Sequence, residues 1–381
     1  MALTFFTEEH EALRSTVRRF AEEELAPHAE EWEEQGEFPD WVFKKAGDLG
    51  LHGLTYPEEY GGAGGDYFAT VVFAEEIGRC NSGGVSMALS VQTDMATPPV
   101  NKFGTPQQKE TYLRPSIAGE KIACIGISEP NAGSDVMNVE TTATWTGDGW
   151  RLNGRKIFIT NGYRAHYMTC VARTKRDGEF TGHSLFLVDT DLPGFERTRK
   201  LDKVGMRSSD TAEIAFEDVE LPPEALLGTE GEGFKHIMWE LQGERLIAAV
   251  STAAGCARMV EGTVNYVKER EAFGRPIGKF QAVRHKLAEL ATEVKALREF
   301  VHYTAFRWNE GEYVVREISM AKLLSGQIGF KVANECLQLF GGHGYSMELP
   351  IQRAWRDSRL GRIGGGTDEI MREVIGKAEG F

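Results

Sequence analysis

The feature that most constrains this chain is a central stretch of short strand-like runs with no helical pattern between them. Residues 141–150 alternate apolar and polar and end in Thr146-Gly147-Asp148-Gly149. Residues 156–160, 167–172, 184–188 and 212–216 are further runs of strand type. Asn153-Gly154 is a two-residue hairpin signal between Trp150-Arg151-Leu152 and residues 156–160. Strands joined by tight turns pair as antiparallel neighbours, so the stretch predicts an antiparallel barrel or sandwich. Leu221-Pro222-Pro223 closes it.

Both flanks are helical. Thr7 can cap a helix whose first turn carries Glu8 and Glu9, and Leu13, Val17, Phe20 and Leu25 follow at helical spacing. Beyond residue 226, long helical segments begin near Phe234, Lys279, Val315 and Ile370, which suits a bundle. With 381 residues, two or three domains are expected at roughly 100–200 residues each. The chain therefore reads as an α+β protein in three parts. These are an N-terminal α-helical domain to residue 120, a central antiparallel β-barrel or sandwich over 121–226, and a C-terminal four-helix bundle over 227–381. The glycine-rich segment Tyr60-Gly61-Gly62-Ala63-Gly64-Gly65 follows no strand and reads as a connector rather than a phosphate cradle.

The formal net charge is -14, which argues against nucleic acid and against anionic membrane surfaces as partners. No run of about 18 apolar residues is present, so no membrane span is expected. The N-terminal residues 1–9 are mixed and acidic, unlike a signal or transit peptide. The 5 cysteines are scattered and never spaced as CxxC, which points to a reducing compartment and away from disulfides or structural zinc. The cytoplasm is the default location, although an imported protein that had lost its leader would read the same. No metal-ligand spacing is found.

Five segments carry candidate chemistry. Residues 124–127 begin strand-like and run into the polar loop Ser128-Glu129-Pro130-Asn131-Ala132-Gly133-Ser134-Asp135. Gly133 and the Ser134 hydroxyl suit a large polar ligand at a sheet edge; a plain surface turn is the alternative. The run Lys156-Ile157-Phe158-Ile159-Thr160-Asn161-Gly162 ends a strand with an aromatic and a hydroxyl. Later come Arg270-Glu271-Ala272-Phe273-Gly274-Arg275-Pro276-Ile277 with Gln281, then Gln338-Leu339-Phe340-Gly341-Gly342-His343-Gly344-Tyr345, then Gly364-Gly365-Gly366-Thr367-Asp368-Glu369-Ile370.

In this order, across nearly the whole chain, the five segments resemble the motifs of the acyl-CoA dehydrogenases. The resemblance implies that family's fold, which matches the α–β–α pattern, and noncovalent FAD between β-domain and bundle. It implies that Ile125, Ser128 and Ser134 border flavin or substrate, and that Phe158 and Thr160 flank the isoalloxazine. The family usually has Trp where Phe158 stands. Arg270, Phe273, Gln281, Gln338 and Gly342 match positions that hold the FAD of a neighbouring subunit in a homotetramer. Thr367 and Glu369 match cofactor contacts near the C-terminus. His343, within the glycine motif, is expected to be a loop residue near the cofactor and not a base.

The family's chemistry needs a base for the α-proton while hydride leaves the β-carbon for the flavin. Many members carry a Glu immediately before the Gly-Thr of the C-terminal signature. Here Gly365 stands there, and no acid lies between Arg362 and Thr367. The long-chain and isovaleryl-CoA branch places its Glu on the first long helix of the C-terminal domain, and Glu244-Arg245-Leu246 resembles that motif. Helical geometry offers an independent check. At about 100° per residue, Ile237, Leu241, Glu244 and Ala248 form one narrow stripe, with Glu240 toward its edge. A carboxylate amid apolar residues wants a partner or a purpose. The alternative is a solvated helix on which Glu240, Glu244 and Arg245 make surface pairs.

The resemblance implies that Ser134, Leu241, Arg245 and Gly365 face the substrate, with Arg245 anchoring the CoA portion or else forming an exposed ion pair. Residues 87–97 and the helix of Glu244 should form the acyl pocket. An ionised Asp94 would suit a long greasy tunnel poorly unless it pointed outward. An electron-transfer flavoprotein is the acceptor the family implies. An acyl-CoA oxidase, which usually carries further C-terminal domains, and a catalytically silent acyl-CoA binder are the rival functions.

Overall fold

The structure is a computed structural model that describes residues 5–381. The first four residues of the acidic N-terminal segment lie outside the described residues. Helix Glu8–Arg19 starts where the sequence places it. The Thr7 hydroxyl accepts from His10 N at 3.3 Å, and Thr7 N donates to the His10 ring at 3.1 Å. Val17, Phe20 and Leu25 are buried, and the helix packs against helix Tyr67–Ile77, whose residues from Phe68 onward are all buried. The segment from Tyr60 to Gly65 is a connector that folds back on Gly53, Leu54 and Tyr56 through backbone hydrogen bonds.

The central sheet has eight strands: β1 (Ala123–Gly126), β2 (Thr142–Trp145), β3 (Trp150–Thr160), β4 (Tyr167–Arg176), β5 (Glu179–Asp189), β6 (Phe195–Lys200), β7 (Thr211–Leu221) and β8 (Leu226–Leu227). Their order is β6-β7-β3-β2-β4-β5-β8, with β1 also on β4. Most pairings are antiparallel, but β1 and β2 both run parallel to β4, sharing one of its edges end to end. Trp150, Leu152, Ile159, Phe186 and Phe216 fill the core on one face.

One expected turn is not a turn. Asn153-Gly154 lies inside β3, at a register shift against β7. The reversal falls one step earlier, at Thr146–Gly149, where Trp145 pairs Trp150. Gly154 has φ +147, and a Cβ there would stand 2.5 Å from the Thr141 hydroxyl. Gly154 thus serves a close strand approach and a bulge. The Asn153 side chain clasps Asp218 through two 2.9 Å hydrogen bonds.

The C-terminal part contains helices Gly233–Glu269, Gln281–Asn309, Val315–Phe340 and Asp368–Glu379, with a shorter helix Pro350–Ser358. Between the first two, β9 (Glu271–Ala272) and β10 (Arg275–Pro276) form a hairpin. Phe273 (φ 54) and Gly274 (φ 75) turn it, the left-handed pair a tight hairpin requires. Among the described residues no helix is long and apolar enough to cross a membrane. All five cysteines are free and buried.

Candidate active site

The site is built on helix Gly233–Glu269. Ile237 and Leu241 sink into the core shared with Tyr56, Met95, Ala123 and Leu185, so this face joins helix, sheet and N-terminal part. Glu244, next on the stripe, is half-buried. The helix is not solvated on its flanks. Arg245 is buried, and Glu240, expected near the edge of the stripe, is only 2% exposed, deeper than Glu244. Helix Tyr67–Ile77 and residues 91–96 cover that side, which helix periodicity could not reveal.

The C-terminal glycine loop lies over this surface. Thr367 caps helix Asp368–Glu379 by accepting from Ile370 N at 3.3 Å. Arg245 Nε donates to Gly365 O at 2.9 Å, in place of the exposed ion pair considered above. Lys322, buried in helix Val315–Phe340, donates to Gly361 O at 3.0 Å and to Gly366 O at 2.5 Å. Gly365 adopts φ +65, and a Cβ built there would sit 2.9 Å from Glu244 Oε1. The Glu244 carboxylate therefore occupies the space a side chain at 365 would need. The absent acid at 365 and the acid at 244 are two sides of one packing fact.

Electrostatics divide the two carboxyls. Burial pushes Glu240 well above its ordinary range, and the adjacent charge of Glu244 pushes it further. Burial also raises Glu244, but Arg245 and Lys322 work against the shift. Glu244, with two cations facing it, is thus the more readily ionised of the two. Burial lowers Lys322 to about 8. Asp94 does not point outward; with Glu240 and Gly243 it lines a cavity of about 200 Å³, and burial raises it to about 6.

A second group lies on the sheet. Ile125 and Ser128 are half-buried, and Ser134 is exposed. Ile157 N donates to Ser128 O at 3.0 Å, laying the loop along β3. Glu129 N and Ala132 O, and Ala132 N and Glu129 O, bond at 2.9 and 3.1 Å to close its turn. Phe158 is 67% exposed because a bulge with φ +63 turns it out while Ile159 goes in; Thr160 is half-buried. Beneath the loop, Lys156 Nζ meets Glu129 Oε1 at 2.7 Å with both residues buried. This pair was not foreseen. Its signal was a lysine at an inward position, in step with Trp150 and Leu152.

A third group stands at the far end of the long helix. Arg270, Gly342 and His343 line a cavity of about 360 Å³ with Tyr266 and Phe340. Phe273, Gln281 and Gln338 are exposed nearby, Phe273 at 94%. Roughly 40 Å of helix separates Arg270 from Glu244. The chain alone does not bring this group to the base. Glu369 is exposed, 3.5 Å from Arg372.

The comparisons agree with this layout. Family models described as the N-terminal, middle and C-terminal domains of acyl-CoA dehydrogenase match residues 7–120, 124–219 and 231–380. The mitochondrial long-chain specific acyl-CoA dehydrogenase of Mus musculus is 43% identical over 98% of this chain and 86% of its own length. This chain belongs to the acyl-CoA dehydrogenase family. Among solved structures of this family, an acyl-CoA dehydrogenase from Geobacillus kaustophilus superposes with TM-score 0.95 at 38% identity, covering 99% of each chain. A Mycobacterium smegmatis glutaryl-CoA dehydrogenase in complex with FADH2 superposes with TM-score 0.93 at 28% identity, covering 99% of this chain and 95% of that one.

The family's enzymes are FAD-dependent oxidoreductases, and the residues present fit that cofactor. Phe158 is an exposed aromatic side chain on the strand that Ser128 O joins through Ile157 N, which suits a flat ring system. A Cβ at Gly133 or Gly342 would meet nothing within 4 Å, which leaves room for a polar ligand to approach the backbone there.

Proposed function

We propose that the chain converts an acyl-CoA thioester to its trans-2-enoyl-CoA, with Glu244 as the base for the α-proton. The observation that carries this is the Glu244 carboxylate resting on the bare α-carbon of Gly365, between Arg245 and Lys322. FAD, when bound, supplies the acceptor for the β-hydride. Ile125, Ser128, Phe158 and Thr160 would hold its ring end. Arg245 and Lys322 tie the glycine loop down, so Gly365 stays against the carboxylate. Arg245 and Leu241 then border the thioester, and Ser134 the CoA side. Electrons pass on to an electron-transfer flavoprotein, the acceptor implied by family. The test is anaerobic bleaching of the yellow protein by acyl-CoAs of graded length and branching. A protein that stays colourless after FAD is added, or that no acyl-CoA bleaches, would sink the proposal.

A homotetramer is part of the same reading. Its support is the third group, far from Glu244 within one chain, with Phe273 extended into open space. The unpaired cysteines support a reducing compartment, and we place the protein in the cytoplasm.

Two predictions arise here. Glu244 must be ionised to accept a proton, and its pKa is raised above 4.5. Bleaching rates at limiting acyl-CoA should therefore rise with pH, with a midpoint above 4.5. A flat profile from pH 4.5 upward would contradict the assignment. Gly365→Ala would put a Cβ against Glu244 Oε1 and force a left-handed residue, a strain of about 1–3 kcal/mol. Bleaching should fall about 10- to 100-fold with FAD retained. Unaltered rates in stopped-flow absorbance would show that the close packing does not matter.

A further inference from the structure

One helical turn before the base, the cavity of about 200 Å³ has a polar wall where an acyl pocket would ordinarily be apolar. Glu240 is 2% exposed, and neither of its carboxyl oxygens has a hydrogen-bond partner. The Tyr67 hydroxyl, on the same cavity, is also buried and unpartnered. Asp94 Oδ2 accepts from the Ser90 hydroxyl at 2.9 Å and the Thr93 hydroxyl at 2.7 Å, and no hydrogen bond from the described residues reaches Oδ1. Phe73, Trp239 and Trp308 are among its apolar lining. Buried polar groups are almost always paired, so two unpartnered buried groups, Glu240 and the Tyr67 hydroxyl, facing one space beside the free oxygen of Asp94 mark the place of a polar ligand group.

We infer that the acyl group carries a hydroxyl at the end remote from the thioester, received between Glu240, Asp94 and Tyr67. This rests on the dehydrogenase reading with Glu244 as base. A hydroxyl both gives and takes a hydrogen bond. It can donate to Asp94 Oδ1 or to an unpartnered Glu240 oxygen while accepting from the Tyr67 hydroxyl. An alkyl end would leave Glu240 and the Tyr67 hydroxyl without partners, and a carboxylate end would face two acids. An ammonium end is the weaker match, because it cannot accept from the Tyr67 hydroxyl and Lys102 also lines the cavity. Glu240 stands about 6 Å along the helix from Glu244, and the cavity is smaller than the roughly 300–1,000 Å³ of drug-sized sites. Both features favour a tail of a few carbons.

The test uses the full-length FAD-loaded enzyme with hexanoyl-CoA, 6-hydroxyhexanoyl-CoA and 6-aminohexanoyl-CoA. Anaerobic bleaching gives kcat/KM, and calorimetry gives Kd for each thioester. The hydroxy compound should exceed hexanoyl-CoA at least tenfold in both measures, because a site built for a hydroxyl discriminates strongly against its absence. Glu240→Leu and Asp94→Leu should each erase or reverse that order. Equal or better handling of hexanoyl-CoA, or a preference for the amino compound, would overturn the inference. So would a hydroxyl preference that survives both substitutions. If no thioester bleaches the flavin, the base assignment fails instead, and the Kd ratios still decide the hydroxyl site.

Discussion

Glu244→Gln should slow anaerobic flavin reduction by acyl-CoA roughly 10²–10⁴-fold, with the protein still yellow. The amide keeps the shape of the side chain, so the contact with Gly365 survives and the loop held by Arg245 and Lys322 stays in place. What disappears is the lone pair that can take the α-proton. Replacing one of two adjacent carboxyls also removes the charge that helps keep Glu240 protonated. Glu240 could then ionise more readily, but it lines the cavity of about 200 Å³, and the carboxyl oxygen at Gly365 belongs to Glu244. Stopped-flow absorbance would follow the bleaching, and the flavin-to-protein ratio would report cofactor retention. A variant that bleaches at the wild-type rate would move the base elsewhere, with Glu240 the next carboxyl to test.

The second large effect concerns stability. Lys156→Met should destabilise the protein by about 3–5 kcal/mol, because it leaves the Glu129 carboxylate buried without its counter-ion. Burial by itself would raise Glu129, but the Lys156 charge and hydrogen bonds from Thr141 and Glu140 hold it below 4.5. The native state therefore gains from this group above pH 4.5, and the gain fades as pH falls toward the depressed value. Denaturant unfolding at neutral pH would show the loss in Lys156→Met. The double variant Lys156→Met/Glu129→Leu should recover much of it, since no charge is then left unpaired. The same pair pins the loop that carries Ser128 and Ser134, so Lys156→Met should also release FAD more readily on dilution. A single variant as stable as the parent would mean that Glu129 reaches water or another cation.

Much of the architecture was legible because its signals are local. Thr7, Leu13 and Val17 announce a capped amphipathic helix within one turn of its start. The strands of 141–216 declare themselves by alternation over 141–150 and by short strand-like runs beyond it, and the bundle helices begin within about two residues of their expected starts. Asn153-Gly154 misled because the same dipeptide serves a hairpin turn and a bulge. Which one forms depends on Thr141 and Asp218, one of them 65 residues away from Asn153.

The site divides along the same line. The sequence by itself determined the order of helical and sheet parts, the five motifs and a carboxylate on the apolar stripe of one helix. Each depends only on spacing along the chain, which covalent geometry converts into faces and turns. Only the tertiary structure decided that Glu240 is the more deeply buried acid, that Asp94 turns into the cavity, and that Phe158 is thrown outward. It alone set the Glu244 carboxylate against Gly365, 121 positions later in the chain. Burial, charge pairing and the space left by a missing Cβ arise between segments that meet only when the chain folds, and no periodicity along the chain encodes them.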